Sequence, residues 1–274
     1  MKPLELETAL LRIKEAGRKA LVPYFMGLWP DRAAFQELLA AAGRSGATAI
    51  EVGLPFTDPV ADGPSIQAAG QAVLDRGATA ERVFDAVAEV APACRAPLVL
   101  MTYANPVLRA GASRFLARAA DAGFQGLIVP DLPSIEAHDL RQQASLAGLA
   151  LVGMAAPNTP AHRLERIARS ARGFVYLVSV TGVTGARANL AVELDGVVAG
   201  LRRATDLPVY VGFGVSGPEA ARRAARQADG VIVGSALIDR VRSNGRAPAD
   251  AVGQLLRDMR VALDGERALE RSPS

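Results

Sequence analysis

Residues 49–67 read AIEVGLPFTDPVADGPSIQ. The stretch begins with a short apolar run that is typical of a buried strand, passes through a proline-containing loop, and enters a helix near Ser65. One carboxylate, Glu51, stands inside the apolar run, and a second, Asp62, stands in the loop. A strand, a loop and a helix in this order form the repeating unit of α/β proteins.

The same unit recurs along the chain. Eight short apolar runs with β-branched residues are separated by alanine-rich stretches with helical spacing. These runs cover residues 20–26, 49–55, 97–103, 126–130, 150–156, 174–180, 208–214 and 230–236. Eight alternating units predict an α/β fold, a (β/α)₈ TIM barrel with an extra N-terminal helix. A doubly wound open sheet is the alternative, because alternation alone does not prove that the sheet closes.

The pattern indicates one domain. The chain has 274 residues, of which 50% are hydrophobic and 22% are charged, so it can bury a large core. No linker divides it. We therefore expect a single TIM-barrel domain over residues 1–266 and a polar tail over residues 267–274.

Composition argues against several classes of function. The net charge is +3, and basic residues are interleaved with acidic ones rather than gathered beside aromatics, so nucleic-acid binding is not expected. No apolar run approaches the roughly 18–20 residues that span a bilayer, and the N-terminus lacks a signal-peptide core. We therefore expect a cytoplasmic protein without a membrane partner. A single cysteine, Cys94, excludes an internal disulfide framework.

Residues that usually bind transition metals are scarce. The two histidines, His138 and His162, fall in helical stretches rather than at strand ends. With one cysteine beside them, a zinc or iron site is not expected. Acid–base chemistry therefore falls to carboxylates at the ends of the strands, where TIM barrels carry their active sites.

Glu51 is the strongest candidate for such an acid or base. An ionised carboxylate buried without a partner is costly, so the pKa of such a group rises toward neutrality. A raised pKa suits a proton donor that works near pH 7. The alternative is an ion pair with an inward lysine or arginine, but none of the eight apolar runs contains either residue.

Three aspartates follow predicted strands. Asp58 and Asp62 stand in the loop after the second run, where aspartate commonly shapes a turn. From the residues alone, a turn is the better interpretation of both. Asp131 follows the fourth run between two prolines, and it could be catalytic, structural or a helix cap.

The loops after the last three runs are rich in glycine. TIM barrels often hold a phosphate group on backbone N–H groups in such loops and at a short helix N-terminus. The candidate donors are Gly185, Gly214, Gly234 and Ser235. Turn geometry alone is the alternative. The residues thus predict a barrel enzyme that acts on a phosphorylated small molecule through a carboxylate acid or base.

Six segments together resemble the tryptophan synthase alpha subunit. In chain order they are IEVGLPFTDPVADGPSIQ, MTYANPVL, VPDLP, VSVTGVTGAR, GFGVS and VGSA. The first segment, with its acids at fixed spacing, is highly specific to that family. The resemblance implies a TIM barrel that catalyses the reversible retro-aldol cleavage of indole-3-glycerol phosphate to indole and glyceraldehyde 3-phosphate.

The resemblance also implies roles for individual residues. Glu51 matches the family's acid–base glutamate, and Asp62 matches the aspartate that binds the indole N–H. Thr184 and Gly185 match a mobile loop in which the threonine meets that aspartate and the glycine meets phosphate. The remaining matches bind phosphate or line the pocket: Gly214, Gly234, Ser235, Tyr103 and Tyr176. No cofactor is implied for this reaction.

A partner is implied as well. It is the pyridoxal-phosphate-dependent tryptophan synthase beta subunit, in an alpha2beta2 tetramer, with the loop around Asp58 in the contact. Three hypotheses stay open: a lyase activated by its partner, a lyase that works alone, and a catalytically weak barrel that mainly binds and switches the beta subunit. The presence of Glu51 and Asp62 argues against the third.

Two segments depart from the family pattern. After the first run, Leu28 stands where the family has glycine, and Trp29 follows it. The resemblance places this loop at the border of the pocket. After VPDLP the family commonly has two acids, whereas this chain has Ser134, Ile135 and Glu136. Neither departure removes a catalytic group.

Overall fold

A computed structural model describes residues 4–178, 187–212, 214–245 and 247–270. It contains one sheet of nine parallel strands. The strands are β1 Ala20–Met26, β2 Ile50–Gly53, β3 Leu98–Met101, β4 Phe124–Ile128, β5 Ala150–Leu151, β6 Gly153–Ala155, β7 Val175–Val178, β8 Val209–Gly212 and β9 Gly230–Val233.

The sheet closes into a barrel. The strands follow one another in chain order, and β1 also pairs with β9. The remaining gap is bridged by residues 150–155, where β5 pairs with β4 and β6 pairs with β7. Val152 separates β5 from β6, and its N–H donates to the carbonyl of Leu127 at 2.9 Å. The TIM-barrel prediction is confirmed, except that the fifth predicted strand is split at this residue.

Helices alternate with the strands and cover the sheet. They are α1 Glu5–Glu15, α2 Arg32–Arg44, α3 Pro64–Leu74, α4 Ala80–Val90, α5 Ala104–Ala110, α6 Ala112–Asp121, α7 His138–Leu146, α8 Ala161–Ser170, α9 Arg187–Ala204, α10 Pro218–Ala225, α11 Ser235–Ser243 and α12 Pro248–Glu270. Within the described ranges, none is long and apolar enough to cross a membrane.

Helix α2 illustrates why these segments fold as they do. Asp31 caps its N-terminus by accepting a hydrogen bond from the Ala34 N–H at 2.9 Å. Its buried side chains recur at helical spacing and include Phe35, Leu38 and Leu39. Burying each such side chain contributes about 1.5–3 kcal/mol, so the helix is held to the sheet by one apolar face.

The predicted N-terminal helix, α1, is present and closes the N-terminal end of the barrel. Its Leu6 and Leu10 are fully buried, and a side chain at Gly126 would overlap Leu6. Glu7 forms a largely buried ion pair with Arg172 at 2.7 Å, and it also accepts the Gly173 N–H at 3.1 Å. Leucines plug this end, which leaves the opposite end for a binding site.

The loop after β1 holds the departure noted in the sequence. Leu28 has a φ of 64°, in the left-handed region that L-residues other than glycine rarely adopt. Both Leu28 and Trp29 are buried in the hydrophobic core. The chain therefore accepts backbone strain at Leu28 while gaining the burial of a leucine side chain.

Replacement of Leu28 tests this balance. Leu28→Ala should lower the free energy of unfolding by about 2–5 kcal/mol, because it loses packing and keeps the strain. Leu28→Gly should be at least as stable as Leu28→Ala, because glycine relieves the strain. Denaturant unfolding of the two variants provides the measurement.

Leu38, buried in the regular helix α2, provides the matched control. There the glycine variant should be less stable than the alanine variant by about 1 kcal/mol. The same order at both positions, with glycine worse, would contradict the assignment of strain to Leu28.

Candidate active site

A cavity of about 390 Å³ opens at the C-terminal ends of the strands. Side chains from β1, β2, β3, β6, β7 and β9 and from the loops that follow the strands line it. Glu51 and Asp62, the two carboxylates singled out in the sequence, both face it. This is the end of a TIM barrel at which active sites are found.

A larger cavity, of about 500 Å³, lies beside the barrel between the loop after β4 and helix α8. It shares Pro130 and Met154 with the first cavity, but neither Glu51 nor Asp62 lines it. Its charged lining includes Glu136, Arg163 and Arg166. Chemistry rather than volume selects the smaller cavity as the candidate site.

Glu51 lies on the floor of the site. It is 2% exposed and stands beside Tyr24 of β1 and Val99 of β3 in the sheet. In the part of the chain that is described, no lysine or arginine pairs with it, and its Oε2 atom has no hydrogen-bond partner. Burial, with a smaller contribution from the charge of Asp62, raises the pKa of Glu51 to about 8. Among the described residues, nothing supports the ion-pair alternative, which the sequence already disfavoured, and a pKa of about 8 keeps the carboxyl group mostly protonated at neutral pH.

Asp62 stands above Glu51 in the loop between β2 and α3. It is half-buried, and this burial raises its pKa to about 6, opposed by a hydrogen bond from Tyr103. It is therefore mostly ionised at pH 7. Two acids in one cavity thus hold different protonation states, which is the arrangement that separates a proton donor from an electrostatic partner.

Tyr103 donates a hydrogen bond to Asp62 and also contacts the neighbouring backbone. Its hydroxyl accepts the N–H of Ala61 at 3.2 Å, and its ring stacks on Phe56 with ring centres 5.2 Å apart. The Oδ1 atom of Asp131 accepts the N–H of Ala104, the next residue, at 2.9 Å. Asp131 is therefore a helix cap for α5. A helix cap was one of the three interpretations that the sequence left open for Asp131, and the helix that it caps is the one that follows β3.

Two tyrosines, Tyr24 and Tyr176, line the cavity with Glu51, and each occupies space that is open only because a neighbouring residue is glycine. A side chain on Gly212 would overlap the ring and hydroxyl of Tyr176, and one on Gly53 would overlap the hydroxyl of Tyr24. The resemblance identified Tyr176, but the sequence reasoning missed Tyr24. Its place in β1, in register with Glu51, becomes visible only when the strands are paired.

The predicted phosphate-binding residues come together in part. Gly214, Gly234 and Ser235 line the same cavity, and Ser235 begins helix α11. Gly214 has a φ of 39°, which favours glycine. Backbone N–H groups at a helix N-terminus attract anions. Thr184 and Gly185 lie outside the described residues.

The remaining expectations concern the surroundings of the site. Asp58 is exposed on the loop after β2 and accepts a hydrogen bond from Thr57 at 2.6 Å. Leu28 and Trp29 pack in the hydrophobic core and are not among the residues that line the cavity, and the expectation that their loop borders the pocket stays a prediction. Among the described residues, no group of three or more histidine, cysteine, aspartate or glutamate side chains could hold a metal ion.

Comparisons with known proteins agree on one family. The family model described as "Tryptophan synthase alpha chain" matches residues 10–264. The tryptophan synthase alpha chain of Chloroflexus aurantiacus is 49% identical over 231 residues, which cover 84% of this chain and 87% of that one. The alpha chain of Synechococcus sp. strain CC9902 is 44% identical over 256 residues, with coverage of 92% and 95%.

Solved structures are similar throughout the chain. The tryptophan synthase alpha chain of Legionella pneumophila has a TM-score of 0.86 at 32% identity and covers 96% of this chain and 98% of its own. A chain in a structure of Mycobacterium tuberculosis tryptophan synthase has a TM-score of 0.86 at 34% identity, with coverage of 96% and 99%.

The buried acid predicts a pH dependence of stability. The pKa of Glu51 is about 8 in the folded chain against an ordinary value of 4.5, so the folded state retains a proton that the unfolded state loses. Between these values, Glu51 lowers the free energy of unfolding by up to about 1.4 kcal/mol for each pH unit of increase. Glu51→Gln should therefore match the wild type near pH 4.5 and exceed it increasingly toward pH 8.

Denaturant unfolding at several pH values, with both proteins in the same buffers, checks this difference. Asp62 also titrates in this range, but it is present in both proteins, so its own contribution largely cancels. A difference between the two proteins that stays constant with pH would show that Glu51 titrates normally.

Proposed function

The chain belongs to the tryptophan synthase alpha chain family, and from that premise we propose how its residues carry out the family's reaction. It is a carbon–carbon lyase of tryptophan biosynthesis that reversibly cleaves indole-3-glycerol phosphate into indole and glyceraldehyde 3-phosphate.

The two ends of the substrate, its phosphate group and its indole ring, need different binding groups. We propose that the phosphate group meets the N-terminus of α11 at Gly234 and Ser235, with Gly214 beside it. The indole ring then lies toward Asp62, so that the bond to be cleaved falls near Glu51. The support is that all five residues line one cavity and that helix α11 begins there at Ser235, since helix N-termini attract anions.

The first step is a proton transfer to the ring. Protonated Glu51 gives its proton to ring carbon C3, which makes the ring an electron-poor indolenine. Asp62, ionised, accepts a hydrogen bond from the ring N–H and stabilises the positive charge that develops there. The observation that carries this proposal is the pair of pKa values, about 8 for Glu51 and about 6 for Asp62, in a single cavity.

The second step breaks the carbon–carbon bond. The electron pair of the bond between C3 and the side chain returns to the ring, and the neighbouring hydroxyl becomes the aldehyde of glyceraldehyde 3-phosphate. The hydroxyl proton passes to Glu51, which was left ionised by the first step. Glu51 ends the reaction protonated, as it began, and C3 of indole keeps the proton it received.

Isosteric substitutions test the two roles. Glu51→Gln should lower kcat by at least about 10³-fold, because an amide cannot supply the proton, and Asp62→Asn should lower it by about 10²-fold or more. Both variants should still bind the substrate. Steady-state release of indole and titration calorimetry with indole-3-glycerol phosphate provide the two measurements.

The control is Glu37→Gln, because Glu37 is an exposed carboxylate on α2 that does not line the cavity; this variant should retain wild-type turnover. Turnover close to that of the wild type in Glu51→Gln would exclude the assigned role. Loss of substrate binding in that variant would instead indicate a binding role.

We propose that a beta subunit docks on the rim around the cavity. Three large apolar side chains are exposed there on the successive segments that follow β2, β3 and β4: Val60 at 80%, Leu108 at 70% and Ile135 at 65%. Single exposed apolar residues are common, but three at one end of the barrel suit an interface. Asp58 shares the loop of Val60. A chain in a structure of M. tuberculosis tryptophan synthase is a structural relative, which supports a partner subunit of that enzyme; the alpha2beta2 stoichiometry is proposed on the family resemblance alone.

The dependence on a partner separates the hypotheses that the sequence left open. Indole release is measured with and without an added tryptophan synthase beta subunit. A large gain in rate on mixing supports the partner-activated lyase, which we propose. Equal rates would support a lyase that works alone, and no activity in either case would indicate a barrel that mainly binds its partner.

Charged substitutions on the rim test the docking site. Leu108→Asp and Ile135→Asp should each weaken beta-subunit binding by about tenfold or more, because each buries a charge in an apolar contact. Leu146→Asp is the matched control, since Leu146 is 89% exposed at the end of α7 that leads into β5, at the other end of the barrel. Affinities that fall equally in all three variants, or in none, would contradict the proposed surface.

A further inference from the structure

Tyr24 is a buried polar residue of the cavity to which the reaction above gives no task. It lies in β1 as the direct neighbour of Glu51 in the sheet, and it is 3% exposed. Its side chain lines the cavity that holds both carboxylates. The Cβ atom of Tyr24 lies near Gly234, and its hydroxyl lies against Gly53.

The Tyr24 hydroxyl has no hydrogen-bond partner among the described residues. Leaving such a group unpaired in a protein interior costs about as much as a lost hydrogen bond, so the great majority are paired. The chain nevertheless makes room for it, because glycine at position 53 is what leaves space for the hydroxyl. An unpaired buried donor beside an active carboxylate suggests a partner that is present only during the reaction.

The groups that face the hydroxyl identify that partner. Burial raises the pKa of Tyr24 above its ordinary range, and Asp62, Glu51, Tyr103 and Tyr176 raise it further, in that order. Asp62 already has a hydrogen bond from Tyr103 and is partly open to solvent. Glu51 has a buried Oε2 atom without a partner, so it is the acceptor in need of a donor.

The need arises only when Glu51 is ionised. After its proton has moved to the ring, a carboxylate remains beside the charge of Asp62 in a position that is almost closed to water. A hydrogen bond to a charged acceptor is roughly twice as strong as one between neutral groups. Tyrosine can supply that bond and keep its own proton, so no further proton transfer is required.

We propose that Tyr24 is a positioning residue that donates a hydrogen bond to Glu51 while Glu51 is ionised between the two steps. The inference rests on the proposed role of Glu51. The hydroxyl need not contact the substrate; it stabilises the intermediate state of the acid and holds its carboxylate toward the cavity. Donor and acceptor stand on paired residues of neighbouring strands, and both side chains line the same cavity.

Tyr24→Phe tests the inference, because it removes only the hydroxyl. We expect kcat to fall about tenfold with KM for indole-3-glycerol phosphate nearly unchanged. The limb of the kcat profile on which Glu51 loses its proton should move about 1 pH unit higher, since the ionised form loses its donor. Removal of an unpaired hydroxyl should leave the stability of the fold unchanged or improved.

Tyr210→Phe is the matched control. Tyr210 is also a buried barrel tyrosine whose hydroxyl has no partner within the described part of the chain, but it packs on Phe174 and does not line the cavity. Its variant should keep the wild-type kcat, KM and pH profile. An equal fall in kcat in both variants would show that the effect of Tyr24→Phe comes from packing, and it would overturn the inference.

A second measurement is independent of turnover. Carbon-13 NMR of labelled glutamate carboxyls, with the Glu51 signal identified by its loss in Glu51→Gln, reports the titration of Glu51 in the free protein. The midpoint should be about 1 pH unit higher in Tyr24→Phe than in the wild type. An unchanged midpoint overturns the inference, and so does a variant in which only KM changes. Failure of the wild type to cleave the substrate would instead count against the proposed function.

Discussion

One constraint organises the molecule: an acid is buried in a barrel whose described residues offer it no cation. Glu51 stands in a strand between apolar neighbours, and no lysine or arginine of the described residues pairs with it. Burying it as an anion would be costly, so the folded protein holds it as a neutral acid. The closed sheet, with the leucines of α1 plugging its far end, keeps water away from the floor of the site and maintains that state.

The residues around Glu51 give the second carboxylate, Asp62, a different protonation state. Asp62 lies nearer to solvent and receives a hydrogen bond from Tyr103, so it ionises at a lower pH than Glu51. Asp131 holds the backbone at Ala104, next to Tyr103, and thereby links the loop after β4 to the loop that carries the tyrosine. The cavity therefore contains a proton donor and a fixed negative charge at the same pH. A reaction that protonates an aromatic carbon beside a ring N–H requires both.

Much of this could be predicted from the sequence, and the misses have physical causes. The alternation of apolar runs and amphipathic stretches predicts the barrel, and an acid inside a run without basic residues predicts the buried Glu51. The role of Asp62 came only from the family resemblance, because an aspartate before glycine looks like a turn. Tyr24 and the capping role of Asp131 depend on which strands and loops are neighbours, and a single chain does not reveal that pairing. Leu28 was noticed as a departure, but its left-handed backbone became apparent only from its dihedral angle.

The decisive measurement is the protonation state of Glu51 in the free protein. Infrared difference spectra of the wild type minus Glu51→Gln isolate the vibration of this one carboxyl group. We expect the carbonyl band of a protonated acid at pH 7, lost with a midpoint near pH 8, because burial raises the pKa of Glu51 to about 8. A carboxylate band at pH 7, with a midpoint near the ordinary value of 4.5, would contradict this expectation.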